Sequence, residues 1–214
     1  MRSFPAFLEL AHVDAHCIVA IKPSGLLSVP GRGEHGQDCL AARVQAAYPD
    51  ALVVHRLDMS TSGLMLFGRG ADAQRALSRV FAERAVSKRY VAVVCGRMPA
   101  PHGEIDLPLF ADWPNRPRQK VDTEHGKPSL TRYRVLAYDT GRDTTRLELE
   151  PVTGRAHQLR VHLLAIGHAI LGDALYAPPD VQARADRLLL HASALCFTHP
   201  VSGATLRFES AVPF

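Results

Sequence analysis

One short segment of the chain combines side chains that could carry out covalent or acid–base chemistry. His55, Arg56 and Asp58 lie in the string HRLDMSTSGL at 55–64, where a run of hydroxyl side chains ends at a glycine. A carboxylate can act as a nucleophile or a base when a nearby cation keeps it ionised and oriented. The alternative is a strand–loop–strand turn in which Asp58 merely caps backbone amides.

A second segment, GRAHQLRVH at 154–162, could supply the cation. The spacing of Arg155, Gln158 and His162 (i, i+3, i+7) predicts that they share one face of a helix. Arg160 lies among apolar neighbours, and an arginine in such a place needs a buried carboxylate partner. The alternative is a surface helix with solvated arginines.

A third region, at 108–128, has the composition of a loop that binds RNA. Trp113, Arg116, Arg118 and Lys120 alternate with prolines and amides, and RNA bases stack on aromatic rings and guanidinium planes. The alternative is a solvated irregular loop that Trp113 pins to the core.

The side chain of Tyr90 follows two cations, Lys88 and Arg89, at the start of an apolar run. Such a tyrosine is most often a core or edge aromatic of a strand. The residue types alone therefore leave its role open.

Several short apolar runs and a few helical patterns must position these side chains. Alternating or continuous apolar residues predict strands at 17–21, 52–54, 64–67, 89–95, 130–138, 145–150, 188–197 and 205–208. Helical periodicity predicts helices from the cap Asp38 to 48, at 71–84 and at 157–166, whereas 98–128 is predicted as a long irregular connection. We therefore expect an α+β fold with a mainly antiparallel, mixed β-sheet, flanking helices and long loops, in a single domain at 1–214.

Composition excludes several classes of protein. The chain has 214 residues, 47% of them hydrophobic and 21% charged, with a formal net charge of +4, which by itself is weak support for nucleic-acid binding. The cysteines are widely spaced and three sit in apolar runs, so we expect a reducing compartment and no zinc site. The segment 1–5 lacks an apolar signal-peptide core, and no apolar run is long enough to span a bilayer, so we expect a cytoplasmic protein.

These motifs resemble those of the RluA-type pseudouridine synthases, which modify RNA. The string at 55–64 resembles the family motif HRLDxxTSG, and the string at 154–162 resembles the motif GRxHQLRxH. The string at 88–90 resembles the motif K-x-Y. The string DWPNRPRQKV at 112–121 is similar to the RluA branch of the family, and the family motif GKP follows at 126–128. The resemblance spans about 18–208. It implies that Asp58 is the catalytic aspartate, that Tyr90 stacks on the target base and helps to remove its C5 proton, and that Arg160 pairs with Asp58.

The resemblance also implies a substrate and a set of RNA contacts. The target uridine would be flipped out of a stack or hairpin loop, with Arg56 filling the gap, and neither metal nor organic cofactor would be needed. We expect a monomer, without an S4 RNA-binding domain, that acts on a transfer-RNA anticodon stem-loop and a large-subunit ribosomal RNA hairpin. The expected RNA-binding residues are His55, Arg56, Arg116, Arg118, Lys120, Arg155, His157 and Gln158.

Three alternatives stay open or are disfavoured. A related synthase could act on ribosomal RNA only, and a non-catalytic RNA-binding module could share the fold, although Asp58, Tyr90 and Arg160 together argue against the latter. A nucleoside hydrolase typically needs paired carboxylates or a metal, whereas Asp58 stands alone in its motif. Whether the reaction would pass through a glycal or an acylal intermediate is left open.

Overall fold

The computed structural model describes residues 8–31, 33 and 36–214. The chain divides into two compact units, the first formed by Met1–Lys88 and Ala192–Pro213 and the second by Arg89–His191 with Phe214. The expectation of a single domain stays a prediction. Segment 1–5, for which we predict no signal peptide, lies outside the described residues.

The structure contains strands throughout, with helices between them. In chain order the elements are β1 (Glu9–Val13), β2 (Cys17–Lys22), α1 (Leu40–Ala47), β3 (Ala51–Val53), β4 (Ser62–Arg69), α2 (Gly70–Ala82), β5 (Ser87–Cys95), β6 (His102–Asp106), β7 (Leu109–Ala111), a 3-10 helix (Trp113–Asn115), β8 (Gln119–Val121), β9 (Leu130–Asp139), β10 (Thr144–Pro151), α3 (Gln158–Ala165), α4 (Pro179–Gln182), β11 (Leu190–Thr198) and β12 (Thr205–Glu209).

In the first unit, the sheet is organised around the apolar strand β4. The strand order is β1-β2-β4-β11, with β3 also paired to β4 and β12 to β11. Strand β2 runs antiparallel to β4, with Lys22 opposite Gly63. Met65 and Phe67 pack in one buried cluster and Leu64 and Leu66 in another, because successive side chains of a strand point to opposite faces. Burial on both faces explains why this strand is continuously apolar.

In the second unit, the strand order is β5-β10-β9-β6, and β7 and β8 form a separate antiparallel pair. Leu147 and Leu149 point inward and are fully buried, as their alternation predicts. They pack with Leu159 and Leu163 of α3 in one core cluster. The predicted α+β class with a mainly antiparallel sheet is confirmed.

The prediction of a long irregular connection at 98–128 is wrong. This segment contains β6, β7, β8 and a 3-10 helix, and β6 pairs with β9 from His102 opposite Arg134 to Asp106 opposite Leu130. The partner strand supplies these hydrogen bonds from about thirty residues away in sequence, so local patterning does not reveal them.

The predicted cap of the first helix is also wrong. The N-cap of α1 is Cys39, whose sulfur accepts a hydrogen bond from the backbone N–H of Ala42. Asp38 instead pairs with Arg43 at 2.7 Å. None of the helices in the described part of the chain is both long and apolar enough to cross a membrane.

Candidate active site and nucleic-acid interface

The Asp58 motif lies on the loop between β3 and β4, in the first unit. The two strands pair antiparallel, with Val53 opposite Phe67, so the loop connects two adjacent strands of the sheet. Asp58 is half-buried, Arg56 is exposed and Leu57 between them is buried. The prediction of a polar loop between two core strands is confirmed.

The ammonium group of Lys22 restrains the backbone of this loop. Lys22 is fully buried, and its Nζ donates to the carbonyl oxygens of Pro23 (2.9 Å), Leu26 (2.7 Å) and Met59 (2.8 Å). A buried cation is stable only when hydrogen-bonded acceptors surround it. Because Met59 follows Asp58 directly, this arrangement restrains the backbone on the carboxyl side of Asp58.

The hydroxyl groups of two serines restrain the loop further. Ser28 Oγ donates to the carbonyl of Leu57 (2.6 Å) and accepts from its N–H (3.0 Å), and Ser24 Oγ donates to the carbonyl of Ser60 (2.8 Å). The segment from Lys22 to Ser28 thus holds the backbone on both sides of Asp58. The sequence analysis did not assign this segment to the site; a lysine at the end of a buried strand was the available signal.

Gly63 shows why the motif ends in glycine. Its φ is +116°, and a Cβ placed on it would lie 2.3 Å from the carbonyl oxygen of Ala192. Any side chain here would displace the backbone of the neighbouring strand. Thr61 and Ser62, next to it, are buried.

His55 makes its described contacts inside the first unit. Its Nε2 accepts the backbone N–H of Leu66 (3.0 Å), and its ring stacks on Phe81 with centroids 4.5 Å apart. Burial, with a smaller contribution from the positive charge of Lys88, lowers the pKa of His55 to about 3. We infer that a neutral His55 positions the start of the loop, and its contact with RNA stays a prediction.

Tyr90 lies on β5, opposite Leu149 of β10, in the second unit. It is half-buried and packs against the core cluster that contains Leu149 and Leu159. Its neighbour Arg89 is exposed and pairs with Glu148 at 3.1 Å. The strand therefore directs Tyr90 toward the core, while its catalytic role stays a prediction.

The predicted helix at 157–166 is confirmed as α3, but Arg155 does not belong to it. The helix begins at Gln158, after His157 in the left-handed conformation (φ 53°), so Arg155 cannot share its face. The guanidinium of Arg155 is exposed and donates to the carbonyl of Pro128 at 3.4 Å.

Gln158 is buried at the start of α3 and binds two neighbouring segments, at 130–131 and at 153–155. Its Oε1 accepts from Thr153 Oγ1 (2.7 Å) and from the N–H of Arg155 (3.0 Å). Its Nε2 donates to the carbonyl of Leu130 (2.9 Å) and to Thr131 Oγ1 (3.0 Å). These contacts use the full hydrogen-bonding capacity of the amide, so we infer that Gln158 positions the helix, and its contact with RNA stays a prediction.

His162 extends this network along the same helix. It is fully buried, with Nδ1 2.9 Å from Thr131 Oγ1 and Nε2 2.9 Å from the carbonyl oxygen of Leu107. A carbonyl can only accept, so Nε2 carries the proton and Nδ1 accepts from the threonine. Burial lowers the pKa of His162, which favours this neutral form.

Arg160 is buried and has a carboxylate partner, as predicted, and the partner seen in the second unit is Asp173. The guanidinium binds both oxygens of Asp173, at 2.8 and 2.6 Å, and the two side chains are 3% and 1% exposed. Asp173 also accepts the N–H groups of Leu175 (3.0 Å) and Tyr176 (3.2 Å). The alternative of solvated arginines is wrong for Arg160, and its pairing with Asp58 stays a prediction.

The loop at 112–120 presents an exposed aromatic and three cations. Trp113 is 56% exposed, and the guanidinium of Arg116 lies 3.7 Å from its ring centroid. Arg118 lies over the ring of Tyr176 at 5.2 Å, and Lys120 pairs with Asp122 at 3.1 Å. The alternative in which Trp113 pins the loop to the core is wrong, and the exposed ring suits base stacking.

A group with metal-ligating side chains lies elsewhere in the first unit. Ligand atoms of His12, Asp14 and Cys17 lie within 4.8 Å of one another. They already bond to each other, since Asp14 Oδ2 is 2.7 Å from His12 Nε2 and 3.4 Å from Cys17 Sγ. Burial raises the pKa of Cys17 to about 12, which keeps it a thiol, whereas metals bind the thiolate. We assign this group no metal role.

Comparisons with known proteins agree on one family. The model of the family described as RNA pseudouridylate synthase matches residues 16–165. The dual-specificity RNA pseudouridine synthase RluA of Escherichia coli K12 is 50% identical over 97% of this chain and 94% of its own length, and that of Yersinia pestis is 51% identical over 94% and 97%. The solved structure of human RNA pseudouridylate synthase domain containing 1 has a TM-score of 0.82 at 27% identity, covering 100% of this chain and 87% of that one.

Proposed function

The chain belongs to the RNA pseudouridylate synthase family and is an RNA-modifying isomerase, and from this premise we propose that Asp58 is its catalytic carboxylate and that it acts on two RNAs. The substrates are uridines of a transfer-RNA anticodon stem-loop and of a large-subunit ribosomal RNA hairpin. Support for two substrates comes from relatives at about 50% identity that carry the name dual-specificity synthase. A synthase specific for ribosomal RNA is the alternative.

The geometry of the Asp58 loop is the observation that carries the assignment. Ser28 holds the carbonyl of Leu57, and Lys22 holds the carbonyl of Met59, on either side of Asp58. Covalent catalysis requires the nucleophile to be held within a small distance of its target, and a fixed backbone does this without using the side chain itself. A turn in which Asp58 merely capped amides would not need a buried cation to restrain it.

The reaction exchanges one bond of the ribose for another. Asp58 attacks C1′ of the flipped uridine, or assists cleavage of its bond to N1, and the uracil leaves with the bonding electrons. The base rotates and C5 bonds to C1′; where Asp58 had bonded to C1′, that bond breaks at this step and the carboxylate is released. The C5 proton is then lost and N1 gains a proton, so the product is an isomer and no hydride or phosphoryl group is transferred. Tyr90 stacks on the base, and Arg56 fills the gap in the RNA stack.

The test is the near-isosteric change Asp58→Asn, with Asp72→Asn on the exposed surface of α2 as the control. Because phosphate contacts supply most RNA affinity, Asp58→Asn should bind RNA as the wild type does but form no pseudouridine. Activity of the variant above about a hundredth of wild type would remove Asp58 from the nucleophile role, since an amide cannot replace a carboxylate in covalent catalysis.

The number of substrates is tested in a deletion strain that carries a plasmid copy of the wild type or of Asp58→Asn. Pseudouridine is mapped in total transfer RNA and in large-subunit ribosomal RNA. Two positions restored by the wild type only, one in each RNA, support dual specificity, whereas a ribosomal position alone supports the alternative. We also propose that the enzyme works as a monomer in the cytoplasm, which sedimentation of the purified protein and cell fractionation would test.

A further inference from the structure

Tyr176 contacts several segments of the second unit that the proposed function assigns to RNA. Its hydroxyl oxygen lies 2.7 Å from the backbone nitrogen of Gln119, in the loop at 112–120, and 2.6 Å from Nδ1 of His157, at the start of α3. Sequence reasoning did not single out this tyrosine, because it follows the helix motif by more than ten residues and carries no charge.

One hydrogen-bond direction at this hydroxyl is fixed, because a backbone N–H can only donate and the Tyr176 oxygen therefore accepts from Gln119. Nδ1 of His157 lies 2.6 Å from the same oxygen, within hydrogen-bonding distance. The hydroxyl therefore links the loop to His157.

The ring of Tyr176 contacts two guanidinium groups. Arg118, from the loop, lies 5.2 Å from the ring centroid, and Arg160, from α3, lies 5.0 Å from it. Both distances fall within the range of a cation–π interaction, which strengthens where water is excluded. Tyr176 is only 6% exposed, so the ring is a buried platform shared by both cations.

The backbone at Tyr176 is attached to the same network. Asp173 accepts the N–H of Tyr176 at 3.2 Å while it binds the guanidinium of Arg160. A displacement of Tyr176 would therefore disturb Arg160 twice, through its ring and through its carboxylate partner.

We propose that Tyr176 is a positioning residue that couples the loop at 112–120 to helix α3. Its hydroxyl sets the position of the loop relative to His157, and its ring sets the positions of the guanidinium groups of Arg118 and Arg160. Contact of the loop with RNA and the placement of Arg160 for chemistry then depend on each other. The coupling rests on the proposed function for its RNA consequences, but its effect on the loop can be measured without RNA.

The first test removes only the hydroxyl, by Tyr176→Phe. Trp113 is the single tryptophan of the chain and lies in the loop, so its fluorescence reports on the loop alone. We expect quenching of Trp113 by acrylamide to change measurably in free Tyr176→Phe protein. RNA affinity should fall by about three- to tenfold, the effect of one ordinary hydrogen bond, while the single-turnover rate at saturating RNA stays within about twofold.

The second test removes the ring, by Tyr176→Leu. Both guanidinium groups lose their platform, so affinity should fall further and the single-turnover rate should fall by about tenfold or more. In the double variant with Arg118→Ala, the affinity losses should not add, because the ring acts on RNA partly through Arg118. Unfolding midpoints identify a variant that fails to fold, and in that case Tyr176→Phe decides alone.

The matched control is Tyr133→Phe. Tyr133 is 9% exposed and belongs to a core cluster of the same unit that contains no residue of the loop at 112–120. This control should leave Trp113 quenching, affinity and rate unchanged. Tyr176→Phe protein that matches the wild type in quenching and affinity overturns the proposal. A wild type that forms no pseudouridine, together with altered quenching in Tyr176→Phe, would contradict the proposed function and leave the coupling intact.

Discussion

Among the described residues, each of the two units has a buried cation beside a segment assigned to catalysis, Lys22 in the first and Arg160 in the second, and their observed partners differ. In the first unit, the ammonium of Lys22 donates to three backbone carbonyl oxygens, one of which belongs to Met59 beside Asp58. In the second unit, the guanidinium of Arg160 binds both oxygens of the Asp173 carboxylate.

The two cations therefore restrain different parts of their sites, the backbone in the first unit and side chains in the second. Lys22 bonds to main-chain atoms of two segments, so it restrains the path of the backbone that carries Asp58. The bond between Arg160 and Asp173 is between two side chains, so its orientation depends on the packing and hydrogen bonds around them, including those of Tyr176. Loss of either partner breaks a buried ion pair, whereas loss of Lys22 removes a donor from three neutral carbonyl oxygens. We therefore expect mutations of the Arg160–Asp173 pair to affect mainly stability and mutations of Lys22 to affect activity as well.

The largest effect on stability should come from Asp173→Asn. The change removes the carboxylate that binds the buried guanidinium of Arg160 at 2.8 and 2.6 Å, and breaking a buried ion pair destabilises a protein by roughly 3–5 kcal/mol. The measurement is urea unfolding, with Asp180→Asn on the exposed start of α4 as the control. Arg160→Met with Asp173→Leu should recover much of this stability but no activity. An Asp173→Asn variant that unfolds at the wild-type midpoint would contradict the role of the pair.

The next effect should come from Lys22→Met. Three carbonyl oxygens lose a donor, which should cost about 2–3 kcal/mol, less than three separate losses because the loop can relax. That relaxation moves Asp58, so the single-turnover rate should fall by at least about tenfold. Lys127→Met, at an exposed lysine of the second unit, is the control for stability. If the variant keeps wild-type turnover, Lys22 does not position the loop.

A smaller effect concerns pH and His55. Its pKa is about 3 in the folded protein, because of burial and then the charge of Lys88. The unfolded chain takes up a proton below about pH 6.5 that the folded chain does not, so stability falls as the pH drops from about 6.5 toward 3, by up to about 1.4 kcal/mol per unit. His55→Gln should lose less stability than the wild type between pH 7.5 and pH 5, in urea unfolding. An equal loss in both proteins would contradict a neutral His55; His102→Gln, at an exposed histidine, should behave as the wild type.

The smallest effects should distinguish RNA binding from base flipping. Arg116→Ala, Arg118→Ala or Lys120→Ala should each weaken RNA binding a few-fold and reduce its salt dependence by up to about one unit, with little change in the rate on bound RNA. Lys120 already pairs with Asp122, so its loss should matter least.

Arg56→Ala should show the reverse pattern, a slower single turnover with nearly normal affinity, because Arg56 acts only after the base leaves the stack. The defect should shrink when the target uridine is mismatched. Equal defects on stacked and mismatched RNA would show that Arg56 does not act in base flipping and makes an ordinary phosphate contact instead.

Much of the fold follows from local patterns. The continuous apolar run at 64–67 predicts a doubly buried strand, and β4 is one. The alternation around Leu147 and Leu149 predicts which side chains face the core, and the helical motif at 154–162 predicts α3 to within one residue at its start. Periodicity reports these features because it depends only on neighbouring residues of one element. The motifs likewise identify the family from sequence.

The sequence by itself determined most of the elements, the family and the need of Arg160 for a buried carboxylate. Only the tertiary structure decided that Asp173 meets this need in the second unit, that Lys22 reaches Met59, and that Tyr176 joins the loop to α3. The strands at 102–121 also depend on partners elsewhere in the chain. The physical reason is that the identity of a residue states what kind of partner it requires, whereas the partner itself is selected by how distant segments pack and close the loops between them.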